Sequence, residues 1–219
     1  SAPIDHGQLL IDDGKIVAVG ADLSAQAAGA DRVDLSGRWV VPAFIVANSV
    51  MGLTEIETVR GSVDVAETGA INPNARAQVA INADSELLPV ARANGVLYAH
   101  VVPQAGEGGI ISGQSALVQL SGWTWEQMTV KSPVGMHLIW PSTRLPPWLP
   151  APMREEALKG ATRSRELIDQ AFDDAAAYRV AKSAGTLEGT DARWEAMVPV
   201  LDGSTPLFIH AIDLQQIRE

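Results

Sequence analysis

Four histidines, His6, His100, His137 and His210, carry most of the chemistry open to this chain of 219 residues. His210 closes the apolar run Leu207 to Ala211, just ahead of Asp213, a residue type that caps helices. A ring at the end of a strand can reach an ion or a substrate, so His210 is the candidate metal ligand. The competing reading is a hydrogen-bonded core histidine. A catalytic zinc takes three protein ligands and keeps a fourth position open, so one imidazole does not hold it. His100 ends the apolar run Val96 to Val102 and His137 lies inside Met136 to Trp140, and both read as structural. His6, near the chain start, reads as solvated.

Other groups fit known chemistry less well. Ser112 and Ser115 lack the G-x-S-x-G setting of a nucleophile elbow. The glycines of 104–113 lack the order and the lysine of a phosphate-binding loop, which leaves a flexible connection. Trp123, Trp125, Trp140 and Trp148 read as covering a core beneath a loop rather than lining a pocket. Glu55, Glu57, Asp64 and Glu67 read as a solvated acidic segment rather than as oxygen ligands.

Composition narrows the classes further. Lys and Arg number 16 against 26 Asp and Glu, a formal charge of −10, and no basic run is present to neutralise phosphates. Nucleic acid and anionic membrane are therefore not expected partners. The absence of cysteine removes disulfides and thiolate sites and leaves cytoplasm and periplasm equally open. Apolar runs are broken by Pro42, Asn48, Gly95 and His100 before they reach the roughly 18 residues of a membrane helix, so no membrane span is expected.

The elements that must position these groups begin with Gln8 to Asp12 and Lys15 to Val19, joined by Asp13-Gly14, a pair that tolerates the positive φ of a tight hairpin turn. Val33 to Val41 returns to strand character. From Phe44 apolar strands alternate with helical stretches, which suggests βα units and a parallel sheet. A helix over Ser85 to Asn94, with Asp84 as its cap, precedes the strand Val96 to Val102. Ile110 to Leu120 and Met136 to Trp140 follow as further strands, and the proline-rich 141–152 reads as a surface connection. Met153 to Ala184 is the strongest helical pattern, with Ile168, Phe172, Ala175 and Tyr178 on one face, and Asp191 to Leu201 is a shorter helix. A last helix starts after Asp213, and Glu219 falls about one turn into it, so the chain reads as cut.

Taken in order, these segments resemble the amidohydrolase superfamily, in its imidazolonepropionase- and dihydroorotase-like group. G-Q-L-L-I-D-D-G-K-I-V-A-V-G is similar to that family's entry hairpin, and V-D-L-S-G-R-W-V-V-P to its crossing into the barrel. P-V-A-R-A-N-G-V from Pro89, I-S-G-Q-S-A from Ile111 and L-F-I-H-A from Leu207 continue the series. The family's first barrel strand reads roughly V-x-P-G-x-I-D-x-H-x-H, its two histidines converging on one divalent ion because alternate side chains share a strand face. Here the segment is V-V-P-A-F-I-V-A-N-S-V. Pro42, Phe44 and Ile45 keep the register, while Ala43, Val46, Asn48 and Val50 stand in place of the glycine, aspartate and two histidines.

The resemblance implies an α/β fold: a partial TIM-type (β/α)8 barrel over 42–219, preceded by part of a small β-sandwich over 1–41. A whole barrel takes roughly 250 residues, so about four barrel strands are expected here. The implied activity is metal-dependent hydrolysis of C–N bonds in cyclic amides or peptide-like substrates, with zinc the expected ion and His210 its surviving ligand. Asn48 reads either as a substrate-binding contact or as a side chain that merely fills the former metal cavity. Catalytic residues are not identified. This chain alone is expected to be inactive, and another subunit or the remaining polypeptide is expected to cover the open barrel. The alternative is a non-catalytic binding or assembly module on the same scaffold.

Overall fold

The computed structural model describes residues 2–218, which fall into two units divided between Pro42 and Ala43. In the first unit β1 (Gln8–Asp12) pairs antiparallel with β2 (Lys15–Gly20). Asp13 and Gly14 make the turn with φ of 47° and 70°. The strand expected over 33–41 is not formed. Asp34 Oδ1 accepts from the Ser36 backbone N–H at 2.9 Å and from its hydroxyl at 2.6 Å, and Gly37 follows at φ 78°. That local turn competes with strand pairing and wins. Among the described residues of this unit a two-stranded ribbon therefore stands where part of a sandwich was expected.

The second unit is mixed α/β. Its five-stranded sheet has the order β3 (Phe44–Ser49), β4 (Val96–Val101), β5 (Ile111–Gln119), β6 (Thr129–Ile139), β7 (Leu207–His210). The outer pairs β3/β4 and β6/β7 are parallel, but β4/β5 and β5/β6 are antiparallel. The wholly parallel sheet expected from the sequence is thus corrected at its centre. A parallel return needs a crossover of a dozen or more residues, and the loop 102–110 between β4 and β5 is shorter. The turn from β5 to β6 passes through a one-turn helix, Trp125–Met128, capped by Thr124.

Where the strands do run parallel, helices make the return. α1 (Leu87–Ala93) lies between β3 and β4, and α3 (Ala151–Ala184) and α4 (Ala192–Leu201) lie between β6 and β7, with Trp125–Met128 counted as α2 and Leu214–Arg218 as α5. α3 stops where Gly185 adopts φ 68°, and α4 starts where Asp191 accepts from the Arg193 N–H. Helix and strand side chains share two apolar clusters. One joins Ala99, Val101, Ala116, Val118 and Leu120 to Leu88, Ile81 and Met128. The other joins Ile111, Met136 and Leu138 to Ile168, Ala171 and Ala175 of α3 and Met197 of α4. Each buried strand residue in these clusters dictates, through the two-residue period, what its neighbours present to the opposite face.

Candidate functional site

His100 lies between Ala99 and Val101, both fully buried in the first cluster, and His137 lies between Met136 and Leu138 in the second. Alternation therefore turns both rings to the face that the helices do not cover. Ser115 shares that face from β5, and Phe208 and His210 reach it from β7.

The sheet is curled around these side chains. His100 on β4 and Phe208 on β7 are three strand spacings apart, about 14 Å in a flat sheet, yet their ring centroids are 5.8 Å apart. His100 and His137 are likewise 5.8 Å apart, His137 and His210 5.1 Å, and Phe208 stacks on His137 at 5.0 Å with planes 10° apart. Gly135 makes this possible, because a Cβ there would stand 2.3 Å from the Phe208 ring.

Hydrogen bonds fix the rings. His100 Nδ1 lies 2.9 Å from the Ala47 carbonyl and Nε2 lies 2.7 Å from Ser115 Oγ. A carbonyl only accepts, so in neutral His100 the proton sits on Nδ1 and Nε2 accepts from the serine hydroxyl. The same hydroxyl has a longer approach, 3.3 Å, to the Gly135 carbonyl. His137 Nδ1 and His210 Nε2 are 2.8 Å apart. Burial, reinforced by His210 and His100 close by, lowers the His137 pKa to about 4. Burial also lowers that of His210. Both rings are neutral near pH 7, and Nε2 of His137, a residue only 2% exposed, has no hydrogen-bond partner.

The two residues singled out for a site fare differently. His210 is at a strand end, as its sequence position suggests, but it bonds to another imidazole. Asn48 is exposed on edge strand β3, while His210 sits on the opposite edge strand, β7. Val50 packs against the apolar cluster under β4 and β5. What β3 contributes to the histidine cluster is the backbone carbonyl of Ala47. His137 and His100, read singly as structural, are drawn into one cluster with His210. Their flanking pairs of buried apolar residues were the available signal, since such pairs place both rings on a common face.

The cluster does not fit a divalent ion from this chain alone. Both nitrogens of His100 are engaged, His210 Nε2 is turned to His137, and among the described residues no carboxylate joins them. Among the described residues no three His, Asp or Glu side chains are grouped so as to hold a metal. A separate open groove of about 370 Å³ runs past Asp84, Glu86, Arg92 and Trp123, and none of the clustered rings lines it.

No protein-family model matches this sequence, and no curated protein matches it. The fold is similar to a solved structure described as an amidohydrolase from Thermotoga maritima MSB8, with a TM-score of 0.79 and 24% sequence identity. The match covers 96% of this chain and 55% of that one, so the chain spans about half the length of its structural neighbour. The fold is amidohydrolase-like. No helix among the described residues is long and apolar enough to cross a membrane.

Proposed function

We propose that this chain forms part of an amidohydrolase-type hydrolase that acts on C–N bonds in cyclic amides or peptide-like compounds, with the concave face of the sheet as its substrate side. The observation that carries the proposal is the gathering of His100, His137 and His210 on that face of an amidohydrolase-like sheet. His137 and His210, whose pKa values burial lowers, can accept or donate a hydrogen bond to an amide as neutral rings without the cost of placing a charge in an apolar setting. Phe208, 40% exposed, offers a ring for an apolar or planar substrate to lie against.

The zinc expected for such chemistry would require donors from polypeptide beyond this chain and the release of His210 from His137. A further partner, either another subunit or the remaining polypeptide, would cover the outer edges of β3 and β7, where Phe44, Ile45 and Ile209 are exposed. Asn48, on the β3 edge, would then contact substrate only in the completed assembly.

A second reading, a non-catalytic binding module, is favoured by one observation: Val50, which stands where the resemblance places a metal-binding histidine, is part of the apolar packing. The two readings separate in a hydrolysis screen of cyclic amides, cyclic imides and dipeptides using the longest polypeptide that contains this sequence. Turnover that is lost in His137→Ala and His210→Ala supports the hydrolase. Binding of the same compounds without turnover supports the module.

A further inference from the structure

On the concave face, side-chain hydrogen bonds cross three of the four boundaries of the five-stranded sheet, and the Ser115 hydroxyl, whose one proton goes to His100, lies close to a carbonyl across the fourth. The Ala47 carbonyl of β3 meets His100 of β4 at 2.9 Å, and His100 meets Ser115 of β5 at 2.7 Å. Ser115 approaches the Gly135 carbonyl of β6 at 3.3 Å, and His137 of β6 meets His210 of β7 at 2.8 Å. We infer that these residues form a metal-independent staple, in which imidazole and hydroxyl hydrogen bonds tie the curled strands together where an amidohydrolase-like fold implies a bound ion. The inference goes beyond the proposed hydrolase and does not depend on it.

Three features of the molecule support the staple. Three of the nitrogens an ion could use are already engaged, while the buried Nε2 of His137 is left without a partner: Ala47 occupies Nδ1 of His100, Ser115 occupies its Nε2, and His210 Nε2 is directed at His137. The three rings are not arranged as a ligand set either: among the described residues no three His, Asp or Glu side chains are grouped so as to hold an ion. Finally, hydrogen bonds of this kind act at the point of greatest need. The apolar clusters hold the helix-covered face, whereas the opposite face has no helix layer, and without cross-links its curvature would rest on the backbone ladders alone.

The test uses the unmodified chain first. Elemental analysis after dialysis should find substoichiometric zinc, and neither EDTA nor added zinc should move the melting temperature. Two-bond ¹H–¹⁵N spectra of the imidazoles should show His100 protonated on Nδ1 and bare on Nε2, with the pattern unchanged by zinc. One zinc per chain, removed by EDTA with a fall in melting temperature or a change in the His100 pattern, overturns the inference. His100→Ala should lower the melting temperature by roughly 4–8 °C. Adding Ser115→Ala should cost little more, because both residues serve one connected chain of bonds. Fully additive losses would mean that they act separately and would also overturn it. The metal and spectroscopic readouts need no variant, so they decide the matter even if His100→Ala does not fold. Hydrolysis enters none of these measurements, so the staple and the proposed activity fail independently.

Discussion

The two faces of the second unit's sheet are built from the same strands by different physics. On the helix-covered face Val101, Ala116, Met136 and Leu138 are at most 1% exposed and are held by close packing. On the concave face the same strands present His100, Ser115 and His137, held by directional hydrogen bonds. Packing tolerates no lost volume, while a hydrogen-bonded face tolerates a lost group as long as its partner can be resolvated. The first face therefore determines whether the unit folds, and the second is where chemistry can be accommodated.

The sharpest way to break this contrast is Met136→Ala. It opens a cavity between β6 and α3 and should cost about 2–5 kcal/mol in denaturant unfolding. A loss below about 1 kcal/mol would show that this face is less tightly packed than its burial implies. Gly135→Ala acts across the opposite face at the neighbouring position. Its Cβ would meet the Phe208 ring at 2.3 Å and the Pro206 carbonyl at 2.9 Å, so β7 must shift, at a cost of about 1–3 kcal/mol. Near-ultraviolet circular dichroism should change with it, and an unaltered spectrum with unaltered stability would remove Phe208 from the curled face.

Acid tests the concave face without mutation. The folded-state pKa of His137, about 4, lies below the ordinary imidazole value of 6.5, so the unfolded chain takes up this proton first. The contribution is fully retained above pH 6.5, declines as pH falls below that value, and stops declining near pH 4. Urea midpoints across this window should show a fall of about 1–3 kcal/mol that is reduced in His137→Phe. The same slope in the variant would assign the acid sensitivity to other groups.

How much of this was legible in the sequence depends on the range over which each feature is encoded. The β1–β2 turn is carried by two adjacent residues, Asp13 and Gly14, and the start of α4 by Asp191, so both could be read locally. The 33–41 segment misleads for the same local reason: its apolar residues suggest a strand, but Asp34 and Ser36 bond within three residues. Strand direction at the centre of the sheet is not encoded in alternation, which is identical for parallel and antiparallel pairs. The site was half visible. His210 stands out by position, but its partner His137 is 73 residues away, and only the folded sheet brings them together.

The smallest expected effect concerns the end of β3, where Asn48 and Val50 stand in place of the resembled family's two histidines. Asn48 is exposed and Val50 is partly buried against the cluster containing Ala99 and Val101, so these near neighbours should respond differently. Asn48→Ala should change stability by no more than about 0.5 kcal/mol, and Val50→Ala should cost about 1–2 kcal/mol, each read from urea midpoints at constant slope. If Asn48→Ala proved the more damaging, its amide would have a structural partner and its use as a free substrate contact would be lost. If Val50→Ala were neutral, β3 would not be anchored through that side chain, and a histidine there would find room that the packed cluster now denies it.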